Sequence, residues 1–291
     1  MENRFDRSAE DLGNIVALEH VNLRNNDQRL VTLFYVMGLG LTRDPYLVTG
    51  VANMWINIGR SQVHLPTNVK AQVLRGRVGL VVPDLDFVEE SLKGVTEMLA
   101  DTEFSFKRHG DYIDAVCPWG NQFRCHAPSE ANAPVQLGMV YVELNVPPGT
   151  ADGIARFYKD IFYAPAHVDT ASGSPAARVL VGQCQELIYR ETDADIPDYD
   201  GHHIQVYVSN FSGPHERLAE RGLITEESNQ HQYRFVDIVD PDSGALLTKL
   251  EHEVRSMTNP LYARPLVNRN PKQTNNAYQP GHHETPWSMP G

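Results

Sequence analysis

The sequence predicts an α+β fold of four βαβββ modules that pair into two cupped, barrel-like mixed sheets. Three observations lead there. A self-similar unit recurs about every sixty residues, its short runs alternate apolar with polar residues, and each unit carries one amphipathic helical stretch. The units open near residues 20, 78, 141 and 203.

The first module opens with ALEHVNL at 17–23, continues into a helical pattern at 27–35, and closes with MWINIG and QVHLP around a turn at Arg60 and Ser61. The second opens at 76–82, has its helix at 87–100, and closes with YIDAVCPWGNQFRCH at 112–126. The third opens with GMVYVELNV at 138–146, has a helix at 152–161, and closes with ARVLVG and QELIYRE, ending at Glu191. The fourth opens with HHIQVYV at 202–208, has a helix around 214–220, and closes over 233–254. Alternation over four to eight residues is the pattern of half-buried strands. The stretches 128–134 and 193–201, rich in Pro, Ala, Asp and Gly, read as inter-module loops. Each module is too short to bury a core alone, so modules must pair. Taken along the chain, 1–132 holds modules one and two and 133–258 holds modules three and four. The segment 259–291, rich in Pro, Asn, Gly and Gln, reads as an extended tail that wraps the core or stays partly disordered.

Composition narrows the function. The 291 residues are 41% hydrophobic and 21% charged, which is ordinary for a globular protein. A net charge of -12 argues against a nucleic-acid partner, because affinity for a phosphate backbone needs clustered Lys and Arg. No apolar run reaches the roughly 18–20 residues of a membrane span, and 1–13 lacks the basic-then-apolar layout of a secretory signal. Three cysteines without metal-knuckle spacing read as reduced thiols, and the expectation is a cytoplasmic protein. Phosphate-binding Gly-rich loops and the G-x-S-x-G elbow are missing from the sequence. Exposed sheet edges make a homodimer an expectation as well.

The period, the His-bearing opening strands (His20, His203) and the Asp240-Pro241-x-x-Gly244 turn before a Glu-bearing last strand resemble the vicinal oxygen chelate superfamily. That group includes glyoxalase I, extradiol dioxygenases, fosfomycin-resistance enzymes and bleomycin-binding proteins, and the resemblance spans about residues 15 to 257. It implies metal ligands on the first and last strands of paired modules. Carried over residue by residue, it marks His20 and His64 in module one and His203 and Glu251 in module four. At the matching places module two has Val78 or Gly79 and Arg124, and module three has Tyr141 and residues 187–189. Modules one and four are therefore expected to share one metal site, an order resembling fused glyoxalases, while two and three form a metal-free cup; the pairing of three with four, as in common extradiol enzymes, would need a His where Tyr141 stands.

The resemblance implies His20, His203 and Glu251 as metal ligands and His64 as a fourth ligand or a nearby base. Glu251 and Glu253 share a face by the period of a strand; Arg255, four residues after Glu251, favours Glu251. His231 and Tyr233 are candidates for moving substrate protons. Two imidazoles and a carboxylate suit Fe(II), the first expectation, and also Mn(II), Zn(II) or Ni(II). Three readings of function follow. One is an Fe(II) extradiol-type dioxygenase acting with O2 on a catecholic or related aromatic substrate. The second is a glyoxalase-like Zn or Ni isomerase or lyase. The third is a metal-free protein that binds a small molecule.

Overall fold

The computed structural model describes residues 5–44, 52–129, 135–171 and 173–264. Most of the expected 259–291 tail and most of the 128–134 loop lie outside the described residues.

Module one contributes strands β1 (Ile15–Asn22), β2 (Thr42–Arg43), β3 (Asn53–Ile58) and β4 (Ser61–Pro66). Module two contributes β5 (Gly76–Val81), β6 (Ser105–Arg108), β7 (Tyr112–Val116) and β8 (Gln122–His126). Module three supplies β9 (Gly138–Val146), β10 (Ala166–Asp169), β11 (Ala176–Gly182) and β12 (Gln185–Glu191). Module four supplies β13 (His203–Val208), β14 (Ile224–Asn229), β15 (Gln232–Val239) and β16 (Leu246–Ser256). One helix follows each opening strand: α1 (Gln28–Val31), α2 (Leu85–Val95), α3 (Ala151–Phe162) and α4 (Ser212–Glu220). Asp27 and Asp84 start the first two by accepting hydrogen bonds from the free amides of the first turn, at 2.7 Å from Arg29 and 2.9 Å from Asp86. The first helix then widens into a π-helical turn over Thr32–Gly38.

The strands form two mixed sheets of eight, in the orders β14-β15-β16-β13-β1-β4-β3-β2 and β10-β11-β12-β9-β5-β8-β7-β6. Modules one and four thus share one sheet, and two and three share the other, as the ligand distribution anticipates. Both sheets cut across the chain division at 132 and 133. They are cupped and open rather than closed barrels, since each keeps two edge strands.

The helices are packed between the apolar faces of the two sheets. Phe34 and Tyr35 of the π-turn meet Phe123 of β8 with centroids at 5.7 and 5.5 Å. From α3, Phe157 meets Phe235 of β15, and the Tyr158 hydroxyl bonds both His252 of β16 (2.6 Å) and Tyr189 of β12 (2.5 Å). One apolar core therefore serves both sheets. What remains is the outer, concave face of each sheet.

Candidate metal centre

Strand alternation decides which side chains reach the concave face of the first sheet. On β13, Ile204, Val206 and Val208 enter the core, so His203, Gln205 and Tyr207 point the other way. On β16, Leu250 and Val254 enter the core, leaving Glu251, Glu253 and Arg255 on the concave side. On β1 the alternation is interrupted. The register with β13 slips at Glu19, between the pairs Leu18↔Val206 and His20↔Gln205. Without that bulge Leu18 and His20 would share a face; with it, Leu18 stays in the core and His20 turns to the cup.

The cross-strand pairs then build the site. His20, Gln205 and Glu253 form one row across β1, β13 and β16, and Asn22, His203 and Glu251 form the next. Ligating atoms of His20, His203 and Glu253 lie within 4.8 Å of one another. Donors about 2.1 Å from a shared ion at tetrahedral or octahedral angles sit about 3.0–3.4 Å apart, so side-chain shifts of about an ångström or two would close the triangle.

His20 is 1% exposed; its Nδ1 is 3.0 Å from the Glu19 carboxylate, while its Nε2 is buried without a hydrogen-bond partner. A carboxylate on one imidazole nitrogen fixes the tautomer and leaves the other as a lone-pair donor. Burial pushes the Glu19 carboxyl up, but the His20 hydrogen bond and the charges of His20, Arg255 and Arg264 outweigh it and hold the pKa below its ordinary value. His203 has its pKa well below normal, chiefly through burial and then through the charges of His20 and Arg234, so it is a neutral donor. Glu253 is held by Arg255 on Oε1 at 2.5 Å and by Arg234 on Oε2, and Arg234 also grips Glu251. Glu19, Glu251 and Glu253 contact two guanidiniums, those of Arg234 and Arg255, so the carboxylates outnumber the guanidiniums they touch. The orphaned His20 nitrogen, the neutral His203 and this excess of carboxylates fit a divalent ion.

The other sequence candidates are arranged differently. Glu251 shares the face of Glu253 and lies 3.4 Å from His203 Nδ1, but it sits one row outward and is more exposed. Glu253 is the carboxylate grouped with both histidines. His64 is beside the cluster, 5.7 Å from the His20 ring and stacked on Trp55 at 3.7 Å. The Asn22 amide donates to its Nδ1 (2.6 Å) and its Nε2 donates to Asn53 (2.7 Å), so both ring nitrogens are hydrogen-bonded within the protein. Burial, then the charges of His20 and Arg255, hold His64 well below its ordinary pKa.

Tyr233 is on the face opposite the cluster, 1% exposed and packed on Phe211 and His215. His231 lies in the turn between β14 and β15, with Nδ1 3.3 Å from the Thr258 hydroxyl. Both are kept apart from the metal cluster because Gln232 and Arg234, the alternate residues of β15, take the concave side. Sequence reasoning missed three members of the site: Glu19, Arg234 and Gln205. Only the bulge at Glu19 could have drawn attention, and a bulge has no reliable sequence signal.

The second sheet's concave face has no such group among the described residues. There Gly79 of β5 pairs with Tyr141 of β9, and a Cβ at Gly79 would sit 2.2 Å from the Tyr141 ring. Around it Arg124 pairs with Asp114 at 2.7 and 2.9 Å, and His126 bonds the Tyr141 hydroxyl at 3.1 Å. Ion pairs and aromatic rings line this face of the sheet built by modules two and three.

The fold is shared with solved structures of glyoxalase I and of a protein assigned as a dioxygenase. The crystal structure of a Bacillus subtilis subsp. subtilis strain 168 protein, assigned as a dioxygenase, matches with a TM-score of 0.59 at 12% identity, covering 95% of this chain and 92% of that one. Glyoxalase I from Zea mays matches with a TM-score of 0.57 at 12% identity, covering 83% of this chain and 92% of that one. No family model and no curated protein matches the sequence.

Proposed function

We propose that this protein is a divalent-metal enzyme in which His20, His203 and Glu253 hold a non-haem Fe(II) ion, and that it is a dioxygenase of a small catecholic or related aromatic substrate. The observation that carries this reading is the two-histidine, one-carboxylate group with a buried, unpartnered His20 Nε2. Such a donor set leaves coordination positions open. When bound, the ion supplies Lewis acidity toward adjacent substrate oxygens and redox chemistry toward O2. The chain's own residues do the rest. Glu19 aims His20, Arg234 and Arg255 fix Glu253, and the Trp55–His64 stack makes one rigid wall of the cup.

A second reading is favoured by the pairing of modules one and four, which resembles fused glyoxalases. In it Zn(II) or Ni(II) acts as a Lewis acid in an isomerase or lyase.

The test is metal content by elemental analysis after anaerobic Fe(II) loading, wild type beside His203→Ala. About one equivalent in the wild type and loss in the variant supports the centre. O2 uptake with a panel of catechols then supports the dioxygenase, while turnover of an α-ketoaldehyde thiol adduct with Zn(II) or Ni(II) supports the second reading. No metal in either protein refutes both, and leaves a metal-free binding protein.

A further inference from the structure

Gln205 is the residue on the concave face that the metal reading leaves unexplained. It sits on β13 between His20 and Glu253 in the cross-strand row, and two residues from His203 on the same face. It is 0% exposed, and neither Oε1 nor Nε2 has a hydrogen-bond partner. The other fully or nearly buried glutamines are satisfied. Gln62 donates to Asp44 and Asn57 at 2.5 and 2.6 Å, and Gln72 accepts from the Arg24 amide at 2.9 Å and donates to the Asp200 carbonyl at 3.0 Å. A buried amide with both ends unpaired is among the costlier things a fold can hold. Here it stands at the middle of the three proposed ligands.

We propose that Gln205 recognises the substrate directly, through a two-point contact with a vicinal pair of oxygens in the singly ionised state. An amide edge presents one donor and one acceptor side by side. A singly ionised catechol or enediol presents the complement: the Nε2 hydrogen meets the anionic oxygen, and the remaining hydroxyl donates to Oε1. A neutral amide adds no charge, so the metal and the arginine-bound carboxylates keep their balance. Gln205 thus selects substrates with two adjacent oxygens of which one keeps its proton, and discriminates against a single phenol. This rests on the proposed metal centre and deepens it.

The test uses Co(II)-loaded protein and 4-nitrocatechol, whose visible absorption reports both binding and ionisation. Gln205→Met preserves shape and removes the amide. The expected result is Co(II) affinity within about threefold of wild type and 4-nitrocatechol binding weakened by about 10–100-fold, the range for a lost charge-assisted hydrogen bond. Apo-protein thermal stability should be no lower than wild type, because an unpaired buried amide has been removed. Gln205→Glu provides a second variant; its carboxylate repels the anionic oxygen, and 4-nitrocatechol should weaken there too. Equal 4-nitrocatechol affinity in wild type and folded Gln205→Met overturns the proposal while leaving the metal centre standing. Failure of Co(II)-loaded wild type to bind 4-nitrocatechol also overturns it. Failure of the wild type to bind Co(II) at all removes the metal reading, and this inference with it.

Discussion

Replacing Glu253 and Glu251 separately by glutamine discriminates between the two carboxylates that share the ligand strand. Glu253 is 3% exposed and bridges Arg234 and Arg255. In Glu253→Gln, Arg255 keeps Glu19 at 3.4 Å and Arg234 keeps Glu251, so neither guanidinium is stranded. The cost is then that of one charge-assisted hydrogen bond and one buried ion pair, about 2–3 kcal/mol, which lowers Tm of the apo protein by about 3–5 °C. Metal affinity loses a donor and a negative charge together, so it should fall by more than the roughly 10–100-fold that outer-sphere partners contribute. The Glu251 side chain is 24% exposed, and its ion pair with Arg234 is that of a partly solvated group. Glu251→Gln should cost about 1 kcal/mol or less and weaken metal less than about 10-fold. Competition titration of Zn(II) against a chelating dye, alongside thermal unfolding of the apo proteins, measures both quantities. Loss of metal in Glu251→Gln with retention in Glu253→Gln would refute the reasoning and move the centre one row outward.

Glu19→Gln, read by the same Zn(II) titration, should weaken metal by about 10–100-fold because His20 loses the carboxylate that aims it. Arg264 bonds the buried Asp44 at 2.5 Å, so Arg264→Met removes a guanidinium from a carboxylate that keeps the Gln62 amide; denaturant unfolding should show a loss of about 1.5–3 kcal/mol. Gly79→Ala should cost about 1–3 kcal/mol by forcing the Tyr141 ring aside, measured the same way. His252 is fully buried and its pKa is pushed down to about 4, chiefly by burial. Between that value and the unfolded one near 6.5 the unfolded chain binds more protons, so stability rises with pH across this window. On His252→Gln, the fall in stability from about pH 7 to pH 4 should shrink by on the order of 3 kcal/mol.

Much of the fold was legible because periodicity survives in short strands. The opening strand at 138–146 coincides with β9, and the helix expected at 152–161 lies within α3. The partnership of modules one and four was legible too, since His20, His64 and His203 occur only there and Gly79 and Tyr141 occupy the matching positions elsewhere. Which of Glu251 and Glu253 lies in the row of His20 was not. Both fall on one face by the period of two, and only the cross-strand register, pairing Glu251 with His203 and Glu253 with Gln205, separates them. Tyr233 and His231 were attractive by residue type, but their face is set by Phe235, which must enter the core and carries the odd-numbered neighbours with it. Gln205 had no signal at all, because a glutamine is conspicuous only when its partners are missing.

The pairing of the first module with the fourth has a consequence for how the protein is made. The sheet of modules two and three comes from one uninterrupted stretch, Gly76 to Glu191, and can close while synthesis continues. The other sheet cannot. Strand β1 waits for β13, more than 180 residues later, and the proposed centre lacks its carboxylate until β16 emerges. Until then the apolar side of the first module has no sheet partner of its own, which is the circumstance in which nascent chains aggregate or recruit chaperones. A metal bound at the proposed centre could therefore not nucleate folding; it would enter only a nearly finished molecule.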